Sequence, residues 1–163
     1  MTFEELREAV EVVQGDDADS LRKRFVARFV DTESNAWRGI LARTREYEDG
    51  IAYQGYLWDA LARWERMSEG EVITELERAG GTWLALWDVN TAENIFIPDY
   101  WKFGKSAILR GAPATLAAGR ELLPEDVYFV PEDFAYALVL THGHDATGRV
   151  RDCLRALPRN PIG

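Results

Sequence analysis

The chain has 163 residues, 47% apolar and 29% charged, which fits one domain able to bury roughly 70% of its unfolded surface without a metal or disulfide staple. Composition excludes collagen, low-complexity disorder and a disulfide scaffold. The longest apolar run, Phe134 to Leu140, is far short of the ~20 residues a bilayer demands. Asp and Glu outnumber Lys and Arg by 28 to 19, for a net charge of −9, and such a surface repels phosphate backbones. The one tight basic cluster, Arg22-Lys23-Arg24, reads as a solvated helix face. Membrane and nucleic acid are thus set aside as partners, and docking onto a basic protein surface is favoured. A single cysteine, Cys153, allows no internal disulfide, and the acidic start Met-Thr-Phe-Glu-Glu-Leu lacks the basic and apolar regions of a signal peptide; the expected location is cytoplasmic.

The first half carries helical spacing. Thr2 and Glu5 form a capping box ahead of the stripe Phe3, Leu6, Val10 and Val13, which Gly15-Asp16-Asp17 breaks. Leu21, Phe25 and Phe29 make a second stripe, and a short helix is expected around Trp37 to Leu41. Asp49-Gly50 marks a turn. Leu57, Leu61 and Trp64 follow at spacings of four and three, then a second capping box, Ser68 with Glu71, precedes Val72, Leu76 and Ala79. Gly80-Gly81 stops that helix.

After residue 80 the period changes. Both the Trp83, Ala85, Trp87 set and the alternating Leu84, Leu86 set are apolar, the pattern of a strand covered on both faces. Ile95 to Ile97 reads as the return strand of a hairpin, and Ser106 to Leu109 as a short strand. Pro113 takes the N1 position of a helix running to Leu122. Asp126 to Val130 and Phe134 to Thr141 are strands joined by Pro131-Glu132-Asp133. Val150 to Leu157 matches a last helix, ended by Pro158. The expected architecture is one α+β domain over residues 1–163, a helical N-terminal half packed on a C-terminal antiparallel sheet. No strand is expected before residue 45.

Few constellations carry chemistry. Thr141-His142-Gly143-His144-Asp145 resembles the metal motif of metallo-β-lactamase-like hydrolases. The chain has only two histidines, though, too few for the imidazole cluster such zinc sites use. Cys153 with His144 lacks an oxyanion loop and reads as a small buried hydrophobe. Glu125-Asp126 and Glu132-Asp133 flank strands and read as solvated loop acids. No phosphate-binding glycine loop is present. Aromatic residues are more telling. Tyr100, Trp101 and Phe103 follow Pro98-Asp99 in a loop, where rings either form a binding face or fold back on the core as a lid.

The run Asp126-Val127-Tyr128-Phe129-Val130-Pro131-Glu132-Asp133-Phe134, and the strand that follows it to Thr141-His142, resemble a pattern in small uncharacterised bacterial proteins. Tyr56-Leu57-Trp58 is similar to a Phe-Leu-Trp segment there. The likeness spans about residues 56–142. In size and architecture those proteins resemble immunity proteins that neutralise bacterial toxins, and the resemblance implies no catalytic residues.

Two functions follow as expectations. The first is a non-catalytic, immunity-like inhibitor that masks a basic protein partner, a toxin domain among the candidates, through Tyr100, Trp101, Phe103, Glu132 and Asp133, with no cofactor and no metal. The second is a small hydrolase using His142, His144 and Asp145, with or without a metal.

Overall fold

The computed structural model describes residues 1–89, 101–144, 146–148 and 151–160. Chain order among them is α1 (Phe3–Ala9), β1 (Glu11–Val13), α2 (Gly15–Phe29), α3 (Asn35–Ala42), β2 (Arg45–Tyr47), β3 (Gly50–Ala52), β4 (Arg63–Met67), α4 (Glu69–Arg78), β5 (Trp83–Trp87), β6 (Ile108–Gly111), α5 (Pro113–Ala118), β7 (Val127–Pro131), β8 (Ala137–His144) and β9 (Arg151–Leu157). Seven strands form one antiparallel sheet in the order β1-β6-β5-β7-β8-β9-β4. The hairpin β2-β3 stands apart from it. The α+β class is therefore as the periodicity requires.

Helices cover both faces of the sheet, and strand alternation sorts the core into two layers. Leu84, Leu86, Tyr128, Val130, Val139 and Leu154 face α2 and α3, meeting Phe25, Phe29, Trp37 and Ile40. Trp83, Ala85, Trp87, Val127, Phe129, Leu138 and Cys153 face the other way, toward Leu6 of α1, Val72 and Leu76 of α4, and Leu116 of α5. A strand with both sides covered needs apolar side chains at every position, which accounts for the unbroken run Trp83 to Trp87. Both capping boxes are formed, Thr2 with Glu5 and Ser68 with Glu71, and Pro113 sits in the first turn of α5.

Four expectations need correction. The first helix ends at Ala9, and the β-branched run that follows becomes β1, an edge strand before residue 45. β-branched residues such as Val12 and Val13 favour extended backbone over helix. Residues 57–64 are not a helix: a single 3-10 turn, Leu57–Ala60, leads into β4. The tail is a strand, β9, although its spacing fits a helix equally well. Its Arg155 points among acids, Nε lying 3.4 Å from Glu65 Oε1, so charged residues sit on a covered strand without loss. Arg22 is not solvated; it is 2% exposed. The strand expected at Ile95 to Ile97 lies outside the described residues.

Phe25 is completely buried, 5.0 Å from the Phe29 ring and edge-on to Tyr128 at 5.1 Å. Phe25→Ala should therefore lower unfolding free energy by about 3–5 kcal/mol, measured by urea denaturation. A loss below about 1 kcal/mol would mean that α2 does not depend on this contact.

Candidate functional site

The residues expected to bind do not form one surface. Tyr100 lies outside the described residues. Phe103 is 7% exposed and packs 4.7 Å from the Phe3 ring, so it belongs to the core. Trp101 is half-buried against Ala52, Val89 and Tyr47. The loop is held from below by Asp49, whose Oδ2 accepts Ser106 N at 3.0 Å and Ala107 N at 3.1 Å. Gly104 has φ +100, and a Cβ there would stand 2.1 Å from that same oxygen, so only glycine fits. Glu132 and Asp133 are exposed, but they lie at the opposite end of the sheet. Pro131 pairs with Trp83 at the start of β5, whereas residues 101–107 enter β6 beside its end. Glu132 bonds Arg110 Nε at 3.0 Å, and Asp133 Oδ1 accepts Ala135 N at 3.0 Å in a local turn.

A different set converges at the rim where β5 ends and β7 begins. The backbone of β8 is irregular there: between the pairs Leu140–Cys153 and His144–Arg151 it advances four residues against two on β9. Such a bulge frees a residue from the ladder and re-aims it. His142 is that residue. Its N–H bonds Asp126 Oδ1 at 3.0 Å, and its ring Nδ1 lies 3.0 Å from both carboxylate oxygens. Asp126 Oδ1 also accepts Trp58 Nε1 at 2.9 Å. Asp126 is 7% exposed, not the solvated acid that its position before a strand implies.

Three rings close around this carboxylate. Tyr56 stacks on Trp58 with centroids 5.2 Å apart and lies 4.8 Å from the His142 ring; Trp58 and His142 are 6.0 Å apart. Tyr56 and Trp58 are half-buried, Trp58 packing against the α2 side of the core, and the His142 side chain is 40% exposed. Beside Tyr56 opens a cleft of about 340 Å³ lined by Asn35, Gly39, Arg43, Gly55 and the exposed Asp59.

The backbone carrying these rings is anchored beneath. Trp58 N donates to Tyr128 Oη at 2.7 Å, Tyr128 Oη donates to Asp88 Oδ2 at 2.6 Å, and Leu57 N donates to Asp88 Oδ1 at 3.2 Å. Burial pushes the Asp88 carboxyl well above its usual range, against the pull of the Tyr128 hydrogen bond. Burial, together with the Asp88 charge, also raises the Tyr128 phenol.

Chemically, the centre offers an imidazole oriented by a carboxylate, the arrangement of a general base and its positioning partner. The carboxylate on His142 is Asp126, and Asp145 lies outside the described residues. His144 is exposed and continues the β8–β9 pairing opposite Arg151. Cys153 is buried, with burial raising its thiol to about 11, so it is no nucleophile. Among the described residues, no group of three His, Cys, Asp or Glu side chains could hold a metal ion. Also among them, no helix is long and apolar enough to cross a membrane.

Asp88 gives a pH-dependent prediction. A carboxyl with a higher pKa folded than unfolded keeps its proton in the native state after the unfolded chain has lost it. Its contribution is complete below the ordinary value of 3.8 and is withdrawn as pH rises toward the folded value. Asp88→Asn should flatten the stability-versus-pH curve as pH rises above the ordinary value of 3.8, followed by urea unfolding over that rise. An unchanged slope would show that Asp88 ionises freely.

No family model, curated protein or solved structure matches this chain.

Proposed function

We propose that the chain is a non-catalytic binding protein that occupies the surface of a basic protein partner, in the manner of toxin-neutralising immunity proteins, whose size and architecture are shared by the small bacterial proteins that residues 56–142 resemble. One observation carries this reading: the exposed His142 ring and the half-buried Tyr56 and Trp58 form a cluster held at 4.8–6.0 Å spacings on a hydrogen-bonded base. Rigid aromatic side chains lose little entropy on binding and dominate interface hot spots. A partner's Lys or Arg fits over such ring faces, with the exposed Asp59 at the edge of the adjoining cleft. The net charge of −9 would steer a basic partner and speed association at low salt. A cytoplasmic setting belongs to the same reading, as does a toxin domain as the partner.

The Asp126–His142 pair supports a second reading, a small hydrolase in which His142 activates water. It needs a substrate seated against His142, where the Tyr56 and Trp58 rings flank the imidazole and the Trp58 N–H is already given to Asp126.

The two separate in one experiment, using the protein product of the neighbouring gene as binding probe and a panel of small esters and amides as substrates. Tyr56→Ala should weaken binding by about 2 kcal/mol or more with an unchanged melting temperature. Trp101→Ala, by contrast, should lower the melting temperature, because that ring packs inward. Turnover that disappears in His142→Ala would overturn the binding reading.

A further inference from the structure

The sheet ends in two unequal edges. β1 is only three residues long, Glu11–Val13. β4 runs for five, Arg63–Met67, has a ladder partner on one side only, and is exposed over its first four residues. Trp64, its second residue, is 51% exposed, one of three large apolar side chains so placed among the described residues, with Met1 and Leu41. A strand edge of this length is a template for another strand. Natural edges are usually guarded by charge, and Arg63, Glu65 and Arg66 provide it here.

The order of those charges selects one occupant. When two copies of a strand pair antiparallel about a two-fold axis normal to the sheet, one residue must lie on the axis opposite itself. Centring on Arg63, Glu65 or Arg66 sets like charges face to face, which destabilises a sheet. Centring on Trp64 sets Arg63 opposite Glu65 of the second copy, Glu65 opposite its Arg63, and the two indoles against each other. Arg63 and Glu65 share a face of the sheet, since successive side chains alternate. Glu65 is already oriented there by Arg155 at 3.4 Å while remaining 57% exposed. We infer that β4 is a self-association edge, and that a second copy of this chain pairs with it antiparallel about Trp64, joining two seven-stranded sheets into one. The contact is short, well under a standard interface, so the dimer is weak and concentration-dependent.

The test uses the full chain in sedimentation equilibrium over a concentration series reaching the millimolar range. The wild type should pass from monomer to dimer. Arg63→Glu alone and Glu65→Arg alone should each weaken the dimer by about tenfold or more, because the two-fold axis doubles each clash. The double variant Arg63→Glu/Glu65→Arg, which exchanges the charges, should restore it. Melting temperatures identify any variant that fails to fold. For that case Trp64→Cys gives an independent readout: under mild oxidation it should form a disulfide-linked dimer, which buried Cys153 cannot supply. A wild type that stays monomeric throughout would overturn the inference. So would a dimer indifferent to both single reversals, or one that the double variant fails to restore. Pairing of β4 only with a strand of another protein would likewise leave the wild type monomeric.

Discussion

A guanidinium buried between a helix and the rim of a sheet has to find negative charge without help from water. Arg22 on α2 is in that position: it is 2% exposed, and Nη2 donates to Ser106 O at 3.0 Å. Burial lowers its pKa, and the carboxylates of Asp19 and Asp49 act against that, joined by Asp88 when it is ionised. Leaving such a cation unbalanced would cost several kcal/mol, so these acids are required where they stand. Each also takes a backbone N–H that the sheet's connections leave over. Asp19 Oδ1 accepts Ile51 N at 2.8 Å, Asp49 Oδ2 accepts Ser106 N at 3.0 Å, and Asp88 Oδ1 accepts Leu57 N at 3.2 Å. One buried charge thus ties together α2, the β2-β3 hairpin, the loop into β6 and the 3-10 turn at Leu57–Ala60.

This arrangement changes what the net charge means. Part of the acidity of the chain is structural, committed to Arg22 and to backbone groups at the rim, and Asp126 follows the same rule with His142 N and Trp58 Nε1. On the proposed binding reading, the charge that would steer a partner comes from the remaining surface acids, such as the exposed Asp59 beside Tyr56. Total charge therefore overstates the field at any one face, because a carboxylate saturated by N–H donors and a nearby guanidinium projects little potential outward.

Period and capping were legible wherever a single force decided the outcome. Strand β5 shows its double burial in five apolar residues, and both capping boxes follow from Ser or Thr with Glu three residues on. Segments in which two periods coexist were not legible. In β9, Cys153, Leu154 and Leu157 satisfy helical spacing, while Leu154 and Ala156 satisfy strand spacing; what decides is the pairing with β8 and β4, a contact distant in sequence. Likewise, Arg22 reads as solvated because its hydrogen-bond acceptor, Ser106 O, and the Asp49 charge come from far along the chain. At the site, Tyr56, Trp58 and His142 were each conspicuous, yet their meeting depends on a bulge in β8 and on Asp126, which reads as an ordinary loop acid. Phe103 erred in the opposite direction, since a loop ring is buried once Phe3 from the chain's start lies beneath it.

The geometry at Asp126 also bears on whether that site binds or reacts. A reacting imidazole needs one ring nitrogen fixed and the other open to substrate, and the Asp126 contact meets the first half of that demand. Tyr56 at 4.8 Å and Trp58 at 6.0 Å then flank the ring with aromatic surface, and the Trp58 Nε1–H is already given to Asp126. Stabilisation of developing charge is usually the largest part of an enzyme's rate enhancement, and an orienting carboxylate alone does not supply it. For the proposed binding, the same features are assets: the indole N–H is satisfied internally, so a partner can cover the Trp58 ring without stranding that donor. On that reading, the Asp126 carboxylate holds the contact surface rigid rather than serving a reaction.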